Sequence, residues 1–307
     1  MMSVRGSSAR AALLMTAASL LLSLVPLFVK LIPPESGIPL EEKILARAAV
    51  SLAVTWVMVA RRRTGLKPVR PRLILLRCLT GTAGMFLYFH AVAGLDLADA
   101  VTLNRLSPFF VLIFAFVFLG ERLLRLQAAA IVLAFAGAVL VLQPGRLPLT
   151  LPGIMALLSA VAAGGAYTTL RALADHDSPI RIVFWFSAFM TVLFLPPTLL
   201  KGSIPCPRDG LLLAGIGLAG AGGQLLMTTA YRHAPGGEVA VYGYLSVVYA
   251  ALWQPLFFGR APAPAVLAGG AMVLCGGLLN YAVGRKRPDR LSDASSREAE
   301  DQPQPPP

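Results

Sequence analysis

Along the chain, stretches of about 17 to 23 nearly uninterrupted apolar residues alternate with short polar breaks. At about 1.5 Å of rise per residue, each stretch makes a helix long enough to cross a hydrocarbon core of roughly 30 Å. Ten such helices are predicted, near residues 11–29, 44–60, 72–93, 97–119, 126–143, 152–174, 179–200, 209–231, 236–258 and 264–284. The breaks hold turn formers and charges, as in Pro33-Pro34-Glu35-Ser36-Gly37 and Lys201-Gly202-Ser203-Ile204-Pro205. They are too short for a soluble domain, so any chemistry must lie within the bundle. The first stretch follows Arg5 and Arg10 in the manner of a secretory signal. It nevertheless runs to Val29 without a small-residue cleavage site and ends at Lys30, which favours a retained helix.

Composition agrees with a lipid solvent: 56% of residues are hydrophobic and 14% charged, against about 25% charged in soluble domains. The net charge of +12 raises the question of nucleic acid, but its distribution points to membrane topology instead. With the N-terminus placed in the cytoplasm, Arg5, Arg10, Arg61, Arg62, Arg63, Lys67, Arg70, Arg72, Arg122, Arg125, Arg171, Arg181, Arg232, Arg285, Lys286, Arg287 and Arg290 fall on cytoplasmic segments. Only Lys30, Lys43, Arg146, Lys201, Arg208 and Arg260 fall on the other side. This is the positive-inside bias, and it predicts that both termini are cytoplasmic. The stretch from Arg285 onward, closing in Asp-Gln-Pro-Gln-Pro-Pro-Pro, lacks the apolar surface to fold and is expected to be a disordered tail. Cys78, Cys206 and Cys275 form no even-numbered framework, so no structural disulfide is expected.

Shifted by 139 residues, the chain aligns with itself without a gap. Gly81 meets Gly220, Gly84 meets Gly223, Leu106-Ser107 meets Leu245-Ser246, Gly120 meets Gly259, and Gly137 meets Gly276. Each copy holds five helices. Five is odd, so the second copy enters the membrane from the side opposite to the first. The expected organisation is a cytoplasmic tail (1–10), a first repeat (11–145), a second repeat (146–284) and the disordered tail (285–307). Inverted repeats suit alternating access, in which two related halves exchange roles to open a central site to one face and then the other. Gly164, Gly165, Gly215, Gly217 and Gly222 join the paired glycines as sites of close helix approach.

The stretch Gly94-Leu95-Asp96-Leu97-Ala98-Asp99-Ala100-Val101-Thr102-Leu103-Asn104-Arg105-Leu106-Ser107-Pro108-Phe109-Phe110, closing in Phe118-Leu119-Gly120-Glu121-Arg122, resembles the fourth helix of EamA-type transporters in the drug/metabolite transporter superfamily. Tyr231-Arg232-His233-Ala234-Pro235-Gly236-Gly237-Glu238-Val239-Ala240 through Phe257-Phe258-Gly259-Arg260 resembles the ninth. The likeness spans about residues 11–284. One departure stands out: the family often ends both motif helices in Gly-Glu, whereas the second here ends in Gly259-Arg260. The resemblance implies an all-α integral membrane fold of ten helices in two inverted five-helix repeats. It also implies a central solute path lined by the first, third, fourth, sixth, eighth and ninth helices.

Arg105 lies near the middle of the fourth stretch, where a charge costs about 2.5–3.5 kcal/mol on insertion scales. It is the leading candidate for solute binding through an anionic group, with Asn104 and Ser107 beside it; a structural pairing with carbonyls or Asp99, or snorkelling outward, is the competing account. The repeat offset sets Tyr244 opposite Arg105, with Tyr242 at similar depth, and either tyrosine could serve the solute or the core. Tyr167 and Gln224 are further candidates. Pro108 removes a backbone donor in mid-helix and is expected to bend the helix as part of a gate, with Val247 at the matching position in the other half. Arg77 is expected to snorkel to the cytoplasmic face, Arg47 to sit at an interface near a helix start, and His90 to be a packing residue.

No G-x-x-x-x-G-K-[ST] phosphate cradle occurs, which argues against primary pumping, and every Asp and Glu lies in a loop, tail or helix end. An exchanger or facilitator for an amino acid or related anionic or zwitterionic metabolite therefore fits better than a proton-coupled exporter. A lipid-modifying membrane enzyme is the other alternative, but H-E-x-x-H, G-x-S-x-G and magnesium-binding aspartate pairs are all lacking. The partners expected are a small-molecule solute and the bilayer of a bacterial cytoplasmic membrane, with no nucleic acid and no cofactor. A homodimer is compatible with this reading.

Overall fold

The computed structural model describes residues 2–63, 65–119, 124–142, 150–173, 176–233, 239 and 242–285. The described residues are helical or lie in turns and irregular connections, with no strand among them. In chain order the helices are α1 (Met2–Leu31), α2 (Leu40–Arg62), α3 (Pro71–Gly94), α4 (Leu97–Asn104), α5 (Ser107–Leu119) and α6 (Arg125–Leu142). They continue as α7 (Leu151–Leu173), α8 (Pro179–Lys201), α9 (Pro207–Ala230), α10 (Leu245–Phe258) and α11 (Pro264–Arg285). A single 3-10 turn, Pro34–Ser36, joins α1 to α2. Eight segments are long and apolar enough to span a membrane, α4 running through the break into α5 as one of them, and α6 and α10 supply two shorter apolar helices. Together these match the ten predicted stretches. Proline opens α3, α8 and α9, where its missing N–H would be unpaired anyway. Ser178 caps α8 by accepting from the Arg181 amide. The expected tail from Lys286 onward, the Gly120-Glu121-Arg122 ending and residues 234–238, including Glu238, lie outside the described residues.

Large apolar side chains face outward in numbers no aqueous surface would tolerate, among them Leu200 at 84% and Leu199 at 77% exposure. They are the lipid-facing surface. Inside, α3 lies along α7, α1 along α9, α2 along α8 and α6 along α11. Exchanging the two repeats turns the α1 and α9 pair into the α7 and α3 pair, and returns each of the other two pairs to itself. The packing thus has the pseudo-twofold that the sequence offset implies, and α2 and α8 differ by 139 residues at both ends.

Glycines show how close this symmetry runs. A Cβ on Gly137 would lie 2.6 Å from the Gly269 carbonyl oxygen, and one on Gly276 would lie 2.8 Å from that of Ala130. Gly137 matches Gly276 under the offset, and Ala130 matches Gly269, so these are one contact repeated. Both let backbones meet where lipid gives no hydrophobic drive to associate.

The fourth stretch departs from a simple kink. The helix stops at Asn104, turns at Arg105 and Leu106, and restarts at Ser107, so Pro108 falls in the first turn of α5 rather than at the bend itself. The second repeat breaks at the equivalent place: Tyr244 is a turn residue immediately before α10. Both halves are discontinuous, although only one carries a proline, so the break does not depend on that ring.

The repeats are also tied together at both ends of the bundle. In the segment between α7 and α8, the Asp177 carboxylate accepts from the Val69 and Arg70 amides at 3.2 and 3.3 Å, and from Arg181 at 2.7 Å. Arg181 and Trp185 add hydrogen bonds to the Gly65 and Leu66 carbonyls, each 2.8 Å. Burial pushes the Asp177 carboxyl up, but the Arg181 hydrogen bond and the two amides outweigh it and hold the carboxyl below its usual range. At the other end the Ser203 amide donates to Glu42 at 3.0 Å and the Ala98 amide to the Gln254 side-chain carbonyl at 2.8 Å, both across the halves.

Candidate functional site

Midway through the bundle, where the two repeats meet, lies a cavity of about 100 Å³. Leu22 and Val25 of α1, Met85 and Tyr88 of α3, and Ala163 and Ala166 of α7 form much of its wall. Four of the sequence candidates line it: Arg105, Asn104, Tyr167 and Gln224. Arg105 arrives through the break between α4 and α5, which carries its side chain to the centre, where the Nε donates to the Ser246 hydroxyl at 2.5 Å. The Asn104 amide donates to the Ser159 hydroxyl at 2.9 Å. Tyr167 stacks on Tyr231 with ring centroids 6.5 Å apart.

The other candidates stand apart. Ser107 is wholly buried behind Arg105 with its hydroxyl unpartnered, because restarting the helix turns it into the α5 first turn. Tyr244 packs on Phe109 at 6.3 Å and would clash with any side chain on Gly277. Its hydroxyl likewise has no partner. Tyr242 packs in the core between the halves, and its carbonyl accepts from Ser19. Pro108 does not reach the cavity lining.

Two arginines whose place the sequence misjudged complete the site. Arg77 does not snorkel. It is 3% exposed and lines the cavity, with its guanidinium carbon 4.3 Å from the centre of the Phe186 ring. Arg47 is not interfacial either: it too is 3% exposed and lines the cavity. The helix start explains the second error. Helix α2 begins at Leu40, four residues earlier than predicted, because Lys43 is absorbed by donating to the Val29 and Ile32 carbonyls at the end of α1. That puts Arg47 two turns inside.

Each of these arginines occupies a glycine seat. A Cβ on Gly81 would fall 1.9 Å from the Arg77 Nη1, and a Cβ on Gly220 would fall 2.9 Å from Arg47. Gly81 and Gly220 are partners in the repeat, so one glycine position in each half holds an arginine. The i, i+4 spacing of Arg77 and Gly81 put both on one helix face and was the available signal. Neither arginine side chain makes a hydrogen bond among the described residues, and Arg47 Nε, Arg77 Nε and Arg77 Nη1 are buried without any partner. No Asp or Glu is among the described residues lining the cavity. His90 is satisfied within its own helix, 2.9 Å from the Phe86 carbonyl.

An all-helical membrane bundle of two inverted halves around a central polar cavity is the architecture of a solute carrier. The comparisons agree. The model of the EamA-like transporter family matches residues 9–143 and again 151–282, and the chain belongs to that family, as a membrane transporter. It is 30% identical to the pseudopaline exporter CntI of Pseudomonas aeruginosa over 77% of this chain and 84% of that one. It is 29% identical to a riboflavin transporter of Rhizobium johnstonii over 71% of this chain and 73% of that protein. Solute carrier family 35 member G1 of Homo sapiens is also 29% identical, over 70% and 64% respectively. A solved crystal structure at 22% identity shares the fold, with a TM-score of 0.65 over 90% of this chain and 99% of its own.

Proposed function

We propose that this protein carries a small organic solute with an anionic group, an amino acid or related metabolite, across the membrane by alternating access, with Arg105 as a binding residue. The observation that supports this most is the set of three arginines around one central cavity, two of them without any hydrogen bond. Arginine keeps its charge in any protein setting. Three such charges in a membrane cost on the order of the whole stability of a typical fold, about 5–15 kcal/mol. No carboxylate in the described lining offsets that cost, whereas an anionic solute would. Asn104 and Gln224 add neutral hydrogen-bonding groups, and Tyr88 and Tyr167 add ring surface.

The break in each repeat supplies the moving part, since two discontinuous helices related by a pseudo-twofold can tilt in turn. Pro108 stiffens the restart of α5 in one of them and tunes this step. With no carboxylate in the described lining to carry a proton, exchange or facilitated movement is the mode proposed. The charge bias supports a cytoplasmic position for both termini, and the bacterial relatives support a cytoplasmic membrane location. That one relative is named an exporter favours the outward direction.

The test is counterflow in liposomes holding the purified full chain. Vesicles preloaded with unlabelled amino acids or organic anions are given the labelled solute outside. The expected result is accumulation of label for at least one anionic solute, lost in Arg105→Gln. Uptake confined to cations or uncharged solutes, or wild-type uptake in Arg105→Gln, would refute the reading.

A further inference from the structure

Resting on that reading, we infer that the solute is a compact polycarboxylate, with one carboxylate taken by Arg47 and Arg77 together and a second by Arg105. These three side chains reach the cavity from three helices, α2, α3 and the α4 break, so they surround the solute rather than meeting it at one point. Arg105 already has one donor engaged by Ser246. Arg47 and Arg77 have none engaged among the described residues, and three of their nitrogens are buried and unpartnered. A guanidinium presents paired donors that match a carboxylate.

Two features set the charge type. A zwitterionic amino acid brings an ammonium group, for which the described lining offers no carboxylate, only amides, phenols and rings already in the field of three positive charges. A monoanion leaves at least one buried guanidinium unanswered. A second carboxylate removes that cost, so affinity should rise steeply from one to two. The body of the solute must also be small and partly apolar. Leu22, Val25, Met85 and Met227 lie among the polar groups, and the cavity holds about 100 Å³.

The glycine seats make Arg47 and Arg77 specificity-determining. Gly81 leaves room for the Arg77 guanidinium against Phe186, and Gly220 leaves room for the Arg47 stem. Both arginines are held across the boundary between the halves, Arg77 of the first against Phe186 of the second and Arg47 of the first against Gly220 of the second.

Thermal stabilisation of the purified full chain in detergent, titrated at constant ionic strength with alanine, acetate, succinate, citrate and glycerol phosphate, tests this directly. Succinate or citrate should bind at least about tenfold more tightly than acetate, the usual effect of one further charge-assisted contact, and alanine more weakly still. Arg77→Gln and Arg47→Gln should bring succinate down to the acetate level, while Arg77→Lys keeps part of the preference. The wild-type ratio stands even if a variant fails to fold. Equal responses to succinate, acetate and alanine would overturn the polycarboxylate assignment and leave an anion carrier in place. A response to glycerol phosphate without one to succinate or citrate would overturn the choice of carboxylate over phosphoryl. No response to any anion would remove both this inference and the anionic reading beneath it.

Discussion

In the first repeat Arg47, Arg77 and Arg105 bring charge to the cavity; 139 residues further on, the second repeat has Phe186, Ile216 and Tyr244. Phe186 receives Arg77 on its ring, Ile216 is buried in the core and Tyr244 packs behind the second break. The backbone keeps its pseudo-twofold while the side chains at equivalent places have parted completely. On the proposed reading, symmetry serves the mechanics, because two halves that pack alike can exchange positions at little cost. Asymmetry then serves recognition, because six inward charges at a twofold would repel one another and one set of three suffices for a small solute.

The comparison can be broken at the scaffold first. Gly137→Leu and Gly276→Leu should each destabilise the protein by about 3 kcal/mol or more, since backbone carbonyls cannot give way as side chains do. The two losses should agree within about 1 kcal/mol in thermal unfolding, because the contact is the same one twice. Strongly unequal losses would break the pseudo-twofold. The chemistry comes next: Arg105→Gln should weaken solute binding about ten- to a hundredfold in transport titrations. Tyr244→Phe at the equivalent site should change binding and stability by no more than about 0.5 kcal/mol, as its hydroxyl pairs with nothing.

The end latches should give smaller and unequal effects. Asp177→Ala frees two amides and Arg181 and is expected to cost about 2 kcal/mol, against about 1 kcal/mol for Glu42→Ala with its single inter-half bond. Hydrogen exchange at Val69, Arg70 and Ser203 reports each separately. Because the folded-state carboxyl of Asp177 is depressed, its contribution is fully present above the ordinary Asp value, near pH 4, and is lost as pH falls through the lower folded value. The gap in unfolding temperature between wild type and Asp177→Ala should therefore shrink on acidification. Pro108→Ala should slow turnover by no more than about fivefold with solute affinity unchanged, as the matching break forms without proline. An affinity loss equal to the rate loss would end the gating role.

Much of the fold could be read because the bilayer imposes one rule on every segment: a spanning stretch must be apolar and helical. The cavity lining was readable in part. Arg105, Asn104, Tyr167 and Gln224 stood out because polar groups deep in an apolar run are conspicuous, and all four line the cavity. Arg47 and Arg77 were missed because they stand within two turns of a helix end, where snorkelling is the ordinary outcome. Their true direction depends on Gly220 and Phe186, residues distant in sequence that open a seat and offer a ring. Ser107 and Tyr244 were drawn in by proximity, since a register along an unbroken helix does not show that the chain turns between Asn104 and Ser107.

By itself, then, the sequence determined the ten helices, their division into two repeats of opposite direction and the presence of an unusual central charge. Hydrophobic periodicity, an odd helix count and the cost of burying arginine are properties of the chain in lipid and need no neighbours. Tertiary structure alone decided that three arginines converge, that none meets a carboxylate in the described lining, and that both halves break at the same level. Those facts depend on which side chains face one another across the boundary between the halves, and there a missing Cβ decides where a guanidinium can lie.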